Sequence, residues 1–289
     1  MNEELEATRK ALVIRNYAAK TVSCYVSVLR RYFAQLDKPI DQIGPADIQA
    51  WQYHLVSQGV SWTLFNQMVC ALRFYFDKVR GCDWPITHIP FQRRRRKLPT
   101  VLSREEVARL IEVSRRDPMH YAICALLYSA GLRLGELVSL CVTDIDSQNM
   151  VIHVRQGKGG KDRLVQLSPL LLLILRDYWR SRAVKSYTWL FPGRDTGMHL
   201  DPSTVQRILA RIVKEAGIDK PVSPHTLRHC FATHLLESHT DLRTIQALLG
   251  HSNIQTTEVY LHVAAHHLQA VANPLDNLPP CSVIPEVKS

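Results

Sequence analysis

The sequence predicts a mainly helical chain in two parts: a four-helix unit over 1–80, then an α+β unit over 100–272 with a small antiparallel sheet. Three observations carry this. Apolar residues recur at three- and four-residue spacing through most of the chain, the period of helices with one buried face. Gly and Pro cut that pattern into segments of ordinary helix length. One pair of alternating, β-prone runs, Val151–Arg155 and Arg163–Leu167, flanks a Gly-rich turn, the pattern of a hairpin.

Glu3 to Tyr17 is the first amphipathic segment. Thr21 can cap a second, in which Val22, Tyr25, Val26, Leu29, Tyr32 and Phe33 form an apolar stripe. Gly44-Pro45 opens a third, with Ile48, Trp51, Leu55 and Val56 at helical spacing, and Gly59 closes it. Ser61 to Val79 is the fourth, with Leu64, Met68, Leu72, Tyr75 and Phe76 turned inward. Short connections make these four a compact bundle whose aromatics belong to its core rather than to base-stacking platforms. Residues 81–99 break the pattern with three prolines and the run Arg93-Arg94-Arg95-Arg96-Lys97, as a linker does.

The second part opens at Ser103-Arg104-Glu105-Glu106, a capping-box pattern, and continues with helices over 103–115, 118–130 and 134–140. Asp144 to Met150 supplies a third short strand or its turn. Pro169 starts a Leu-rich helix whose apolar run is too short to span a bilayer and reads as core. Further helices run over 202–216 and 224–238. Residues 240–261 have the local look of a helix-turn-helix, and a tail follows Asn273-Pro274 over 273–289.

Formal net charge is +10, with pI near 9.4, which favours a polyanionic partner. Residues 1–97 hold fifteen Lys and Arg against eight Asp and Glu, so most of the surplus sits in the first part and the linker. A cationic run is by default a solvated face; between two DNA-binding lobes it would lie against phosphates, and DNA contact is the expectation for Arg93, Arg94, Arg95, Arg96 and Lys97. Seven cysteines, an odd number without a Cys-x-x-Cys pair, read as reduced thiols of a cytoplasmic protein. The first residues lack a signal peptide's apolar core, and no segment is long enough to cross a membrane.

Chemistry concentrates late in the chain. His225 and Arg228 are three apart and share a helix face. Arg offers a fixed fork that grips two phosphate oxygens, and His a donor whose charge changes near neutral pH. Gly250-His251 and Tyr260 follow; a tyrosine, with an ordinary pKa of ~10, becomes a nucleophile where cations favour its phenolate. Upstream, Arg133 stands in an apolar helical run, where an unpartnered charge would be costly. Lys158 lies in the turn Gly157-Lys158-Gly159-Gly160-Lys161. Together these predict phosphoryl transfer through a covalent tyrosine.

Leu132-Arg133-Leu134-Gly135-Glu136-Leu137, the Gly157-Lys158-Gly159 turn, His225-Thr226-Leu227-Arg228-His229, Leu249-Gly250-His251 and Tyr260 occur in the order found in the tyrosine recombinases. The chain resembles that family, which includes phage integrases, Xer recombinases and integron integrases, from Thr8 to His262. The resemblance implies a SAM-like core-binding domain ahead of a catalytic domain. It implies that Tyr260 attacks a phosphodiester to give a 3′-phosphotyrosyl link and a free 5′-hydroxyl, with no nucleotide cofactor, since the bond energy is retained. Arg133 and Arg228 would clamp the phosphate. His225 and His251 would be further donors or proton shuttles, and Lys158 the general acid. Lys161 is either a weaker candidate for that acid or a phosphate contact; Glu136 either orients the framework or makes a local ion pair. The implied partners are double-stranded DNA and further copies in a tetramer, tied together by a C-terminal helix over 253–271 that otherwise packs on its own domain. Ala272-Asn273-Pro274-Leu275-Asp276 resembles the ending of recombinases carried by mobile elements, in integration, excision or transposition.

Rival readings are a DNA-binding regulator without catalysis, which leaves Arg133, Lys158 and Arg228 unexplained together, and a zinc site at His225, His229 and His234. The zinc reading lacks a His-Glu-x-x-His pattern and places Arg228 beside the cation. No metal is expected. A metal-dependent nuclease needs clustered carboxylates, and the acids here are scattered. Cys230, where relatives often have Ser, reads as packing.

Overall fold

The computed structural model describes residues 2–93, 99–155, 162–183, 185, 188–194, 197–250 and 257. The chain divides into two compact units, Met1–Arg96 and Lys97–Ser289.

In the first unit, α1 (Asn2–Ile14), α2 (Ala19–Phe33), α3 (Pro45–Ser57) and α4 (Trp62–Phe74) form the expected four-helix bundle. Its core is aromatic and aliphatic: Leu29, Ile48 and Leu72 are sealed, and the rings of Phe33 and Tyr75 meet edge-on at 5.2 Å. Three expectations need correction. Helix α2 begins at Ala19, so Thr21 lies inside its first turn and caps nothing. Leu64 and Val56 face solvent, and Phe65 takes the inward place next to Leu64. The fourth helix does not run regularly to Val79: Tyr75–Arg80 form one wide turn of π-helix that buries both Tyr75 and Phe76. Of the segment expected as a linker, residues 82–93 lie against this bundle. Ile89 is buried in its core, and Gln92 exchanges hydrogen bonds with Asn66 at 2.9 and 3.1 Å.

The second unit begins with α5 (Arg104–Ser114), capped as expected: Ser103 Oγ accepts from the Glu106 N–H and Glu106 Oε2 from the Ser103 N–H. Helix α6 (Pro118–Ser129) is apolar nearly all round, Ala122 to Leu127 being buried without interruption, so it occupies the centre. It packs against α5, the short α7 (Leu134–Val138), α8 (Pro169–Ser181), α9 (Pro202–Glu215) and α10 (Pro224–Glu237). Helix α11 (Leu242–Leu249) follows α10. In α8 the Leu-rich run is only half core: Leu171, Ile174 and Leu175 are buried, while Leu170 and Leu173 are exposed.

The hairpin is present as β2 (Val151–Val154) and β3 (Arg163–Gln166), with the two-residue β1 (Ile145–Asp146) completing an antiparallel sheet in the order β1-β2-β3. Ile152 pairs with Val165 and Val154 with Arg163. Cross-strand partners share a face, and Ile152, Val154 and Val165 are buried, so Arg163 is carried on the inward face. That register places a charge inside the domain.

Candidate active site

Two of the expected residues are set by α7. Arg133 is the residue before the helix and Glu136 its third member, so the carboxylate folds back on the helix start. Glu136 Oε2 accepts from the Arg133 N–H at 2.8 Å and Oε1 from Arg133 Nη1 at 2.7 Å. Gly131, just upstream, has φ +56°, and a Cβ there would stand 2.4 Å from the Phe231 ring. Only glycine combines that left-handed backbone with so close an approach.

Arg228 enters from α10, whose start is fixed by Ser223 as cap and Pro224 in the first turn. Its side chain is 2% exposed. Nη1 donates to the Gly131 carbonyl and Nη2 to the Leu249 carbonyl, both at 2.6 Å, and Nη1 stands 3.8 Å from Glu136 Oε2.

A third arginine completes the group, and sequence reasoning missed it. Arg163 at the start of β3 donates through Nη1 and Nη2 to the two oxygens of Glu136, each at 2.8 Å, and through Nε to the Leu248 carbonyl at 2.8 Å. The available signal was its inward position in an alternating strand, where a charge requires a partner. Glu136 is therefore a hub for three guanidiniums rather than only a local ion pair. Burial pushes its carboxyl up, but the bonds from Arg163 and Arg133 outweigh that and bring its pKa to about 2.

His225 lies one turn before Arg228 and is exposed; burial of its inner edge, with Arg228 and Arg133 nearby, lowers its pKa. His229, on the following turn, stacks on His225 with ring centroids 5.9 Å apart, and burial, His225 and Arg228 bring it down to about 4. His234 does not join them. Its Nδ1 meets the Tyr128 hydroxyl at 2.9 Å and its Nε2 the Leu102 carbonyl at 3.0 Å, so the three histidines of the zinc reading do not converge. Cys230 is buried and accepts from the Leu102 N–H at 3.2 Å, a packing role.

The structure thus brings Arg133, Glu136, His225 and Arg228 together. Lys158, Lys161, His251, Tyr260 and the run Arg94–Lys97 lie outside the described residues, as does all but Thr257 of the helix expected over 253–271; Arg93 is described and exposed.

The phage integrase family matches residues 100–267, and its N-terminal SAM-like domain matches 5–86. The tyrosine recombinase XerA of Pyrococcus furiosus is 36% identical over 282 residues, covering 96% of each chain. That of Thermococcus kodakarensis is 38% identical over 273 residues, covering 93% of each. Among solved structures, XerA recombinase superposes with a TM-score of 0.55 at 32% identity, over 93% of this chain and 96% of that one. A lambda integrase dimer bound to a core site shares the fold, with a TM-score of 0.71 at 21% identity, over 90% of this chain and 94% of that one. The chain belongs to the phage integrase family, the tyrosine-type site-specific recombinases. The regulator reading is not favoured: α11 ends on the arginine cluster, as part of a site.

Proposed function

We propose that the chain cuts and rejoins double-stranded DNA at a specific site through Tyr260. The observation that carries this is the arginine cluster, in which three guanidiniums share one carboxylate among the described residues. Surplus positive charge at a half-enclosed site is costly by itself and becomes favourable when a phosphate enters.

The reaction runs by in-line displacement. The Tyr260 hydroxyl gives its proton to His225 as its oxygen bonds to phosphorus and the bond to the 5′-oxygen breaks, and Lys158 gives that leaving oxygen a proton. The product is a 3′-phosphotyrosyl link with a free 5′-hydroxyl. A 5′-hydroxyl from the partner site then attacks the link and releases Tyr260. Charge builds on the non-bridging oxygens in between, where Arg133 and Arg228 act as clamps and His225 and His251 as donors. Arg93–Lys97 and Lys161 contact the DNA backbone, and four copies assemble on two sites. The relatives' recombinase activity, the family match and the cluster geometry support this reading, which places the protein in the cytoplasm with the chromosome.

The test is trapping. A site selected by the wild-type protein from a random duplex pool, nicked beside the crossover, should give a denaturant-resistant protein–DNA adduct. Tyr260→Phe should bind the same duplex and form none. An adduct in that variant would move the nucleophile elsewhere; none with wild type would sink the recombinase reading.

A further inference from the structure

Helix α11 ends in three successive carbonyls, and each accepts from a different arginine. Leu248 O accepts from Arg163 Nε at 2.8 Å, Leu249 O from Arg228 Nη2 at 2.6 Å, and Gly250 O from Arg133 Nη2 at 3.4 Å. These are groups a helix leaves without internal partners, at the negative end of its dipole. The same three side chains converge on Glu136. Phosphate binding accounts for Arg133 and Arg228. The recombinase reading gives Arg163 no phosphate to hold, and its three nitrogens all donate to protein acceptors.

Arg163 is also the first residue of β3, opposite Val154 at the end of β2, and so follows in sequence the segment that carries Lys158. We propose that Arg163 is a positioning residue for strand cleavage. It clamps Glu136 and the last turn of α11 to β3, so that Arg133, Arg228 and the end of α11 at Gly250 hold one arrangement before DNA arrives. This rests on the recombinase reading above.

Two features argue for a dedicated clamp. Holding both carboxylate oxygens and a carbonyl at once takes a planar fork with a third donor, which Lys cannot offer. Gly250 has φ +62°, and a Cβ there would meet Arg163 Cδ at 3.0 Å, so a glycine lets the end of α11 close over the Arg163 stem.

The clamp has a signature that a loss of folding does not share. Arg133, Arg163, Arg228 and His225 face Glu136. With Arg163 in place the carboxyl stays ionised at every usable pH. Without the fork the bonds from Arg133 still hold the carboxyl down, but less of its burial is offset, so its pKa rises and a larger share of Glu136 is protonated at low pH and no longer anchors Arg133.

The experiment measures single-turnover cleavage of the selected nicked duplex from pH 5 to 8. Arg163→Gln should bind the duplex as wild type does and cleave it slower by about 10²-fold, the scale of an ångström-sized misplacement. Its rate relative to wild type should rise with pH, and Glu136→Gln in the same background should remove that rise. Arg163→Lys should recover part of the rate. If Arg163→Gln does not fold, Arg163→Lys alone decides: wild-type rate and pH profile overturn the clamp, and a slower, pH-dependent rate supports it. A deficit in Arg163→Gln that is constant with pH, or none, also overturns it. If wild type forms the Tyr260 adduct and Arg163→Gln matches it, only the clamp fails; if wild type forms none, both readings fail.

Discussion

Arg228 and His234 sit six residues apart on α10 and are almost equally sealed, at 2% and 6% exposure, yet their surroundings differ in kind. His234 is complete within the protein. Its Nε2 faces a carbonyl and so carries the proton, which leaves Nδ1 to accept from the Tyr128 hydroxyl. No charge is needed there, and burial keeps the ring neutral by lowering its pKa. Arg228 is permanently charged and shares Glu136 with two other arginines. One end of the helix is closed chemistry; at the other, among the described residues, three guanidiniums share one carboxylate. Burial alone does not mark a functional residue, and unbalanced charge does.

The comparison breaks most visibly at Arg228. Arg228→Ala removes the proposed phosphate clamp and should lower cleavage of the nicked duplex by roughly 10²–10³, the usual worth of one preorganised donor. Its effect on folding should be modest. The carbonyls of Gly131 and Leu249 lose a donor, but the cluster also loses one of its surplus charges. Single-turnover cleavage and thermal melting separate the two. A variant that melts early yet cleaves normally would make Arg228 a structural residue and erase the contrast.

His234→Leu should behave oppositely. The Tyr128 hydroxyl and the Leu102 carbonyl lose their partner, at about 1–3 kcal/mol for each polar group left unsatisfied. Melting should fall by several degrees, since about 1 kcal/mol shifts a domain of this size by roughly 2–4 °C. Cleavage measured well below melting should stay within about twofold of wild type, far from the losses expected at catalytic donors. A hundredfold loss there would mean that the closed side also serves the chemistry.

How much of this could be read from the residues alone follows from the same contrast. Arg133 was legible as a charge in an apolar helical run, Arg228 by its spacing from His225 on one helix face, and Glu136 through the resemblance, one turn from Arg133. The hairpin and the Ser103 cap were legible because turn and cap residues are local signals. Arg163 was not. Arg163–Gln166 alternates as a strand should, but the pattern does not say which element its inner face meets, and its partner lies 27 residues away. The carbonyls of Leu248 to Gly250 have no side-chain signature at all. The Leu-rich run of α8 failed for another reason: six apolar residues in a row carry no periodicity to separate buried Leu171 from exposed Leu170.

His229 sharpens the comparison at the smallest scale. It lies on the charged side of α10, where burial, His225 and Arg228 all disfavour its protonation and bring its pKa from 6.5 to about 4. On the closed side burial lowers His234 as well, but Glu237 and the bond to Leu102 pull it back. A lowered histidine pKa means that the unfolded chain takes up the proton first. The stabilisation is therefore complete above the unfolded pKa and is lost as pH falls from 6.5 toward 4. Glu136 acts in a separate window, since its stabilisation goes only as pH drops from 4.5 toward 2. Melting should thus become acid-sensitive below pH 6.5, with His229 contributing on the order of 1–2 kcal/mol, less than its full shift because the ring is partly solvated. His229→Phe keeps a flat ring without the proton and should flatten the melting curve between pH 6.5 and 4. His234→Phe should flatten it less. Equal slopes for the two variants would mean that the positive charge of Arg228 does not reach His229.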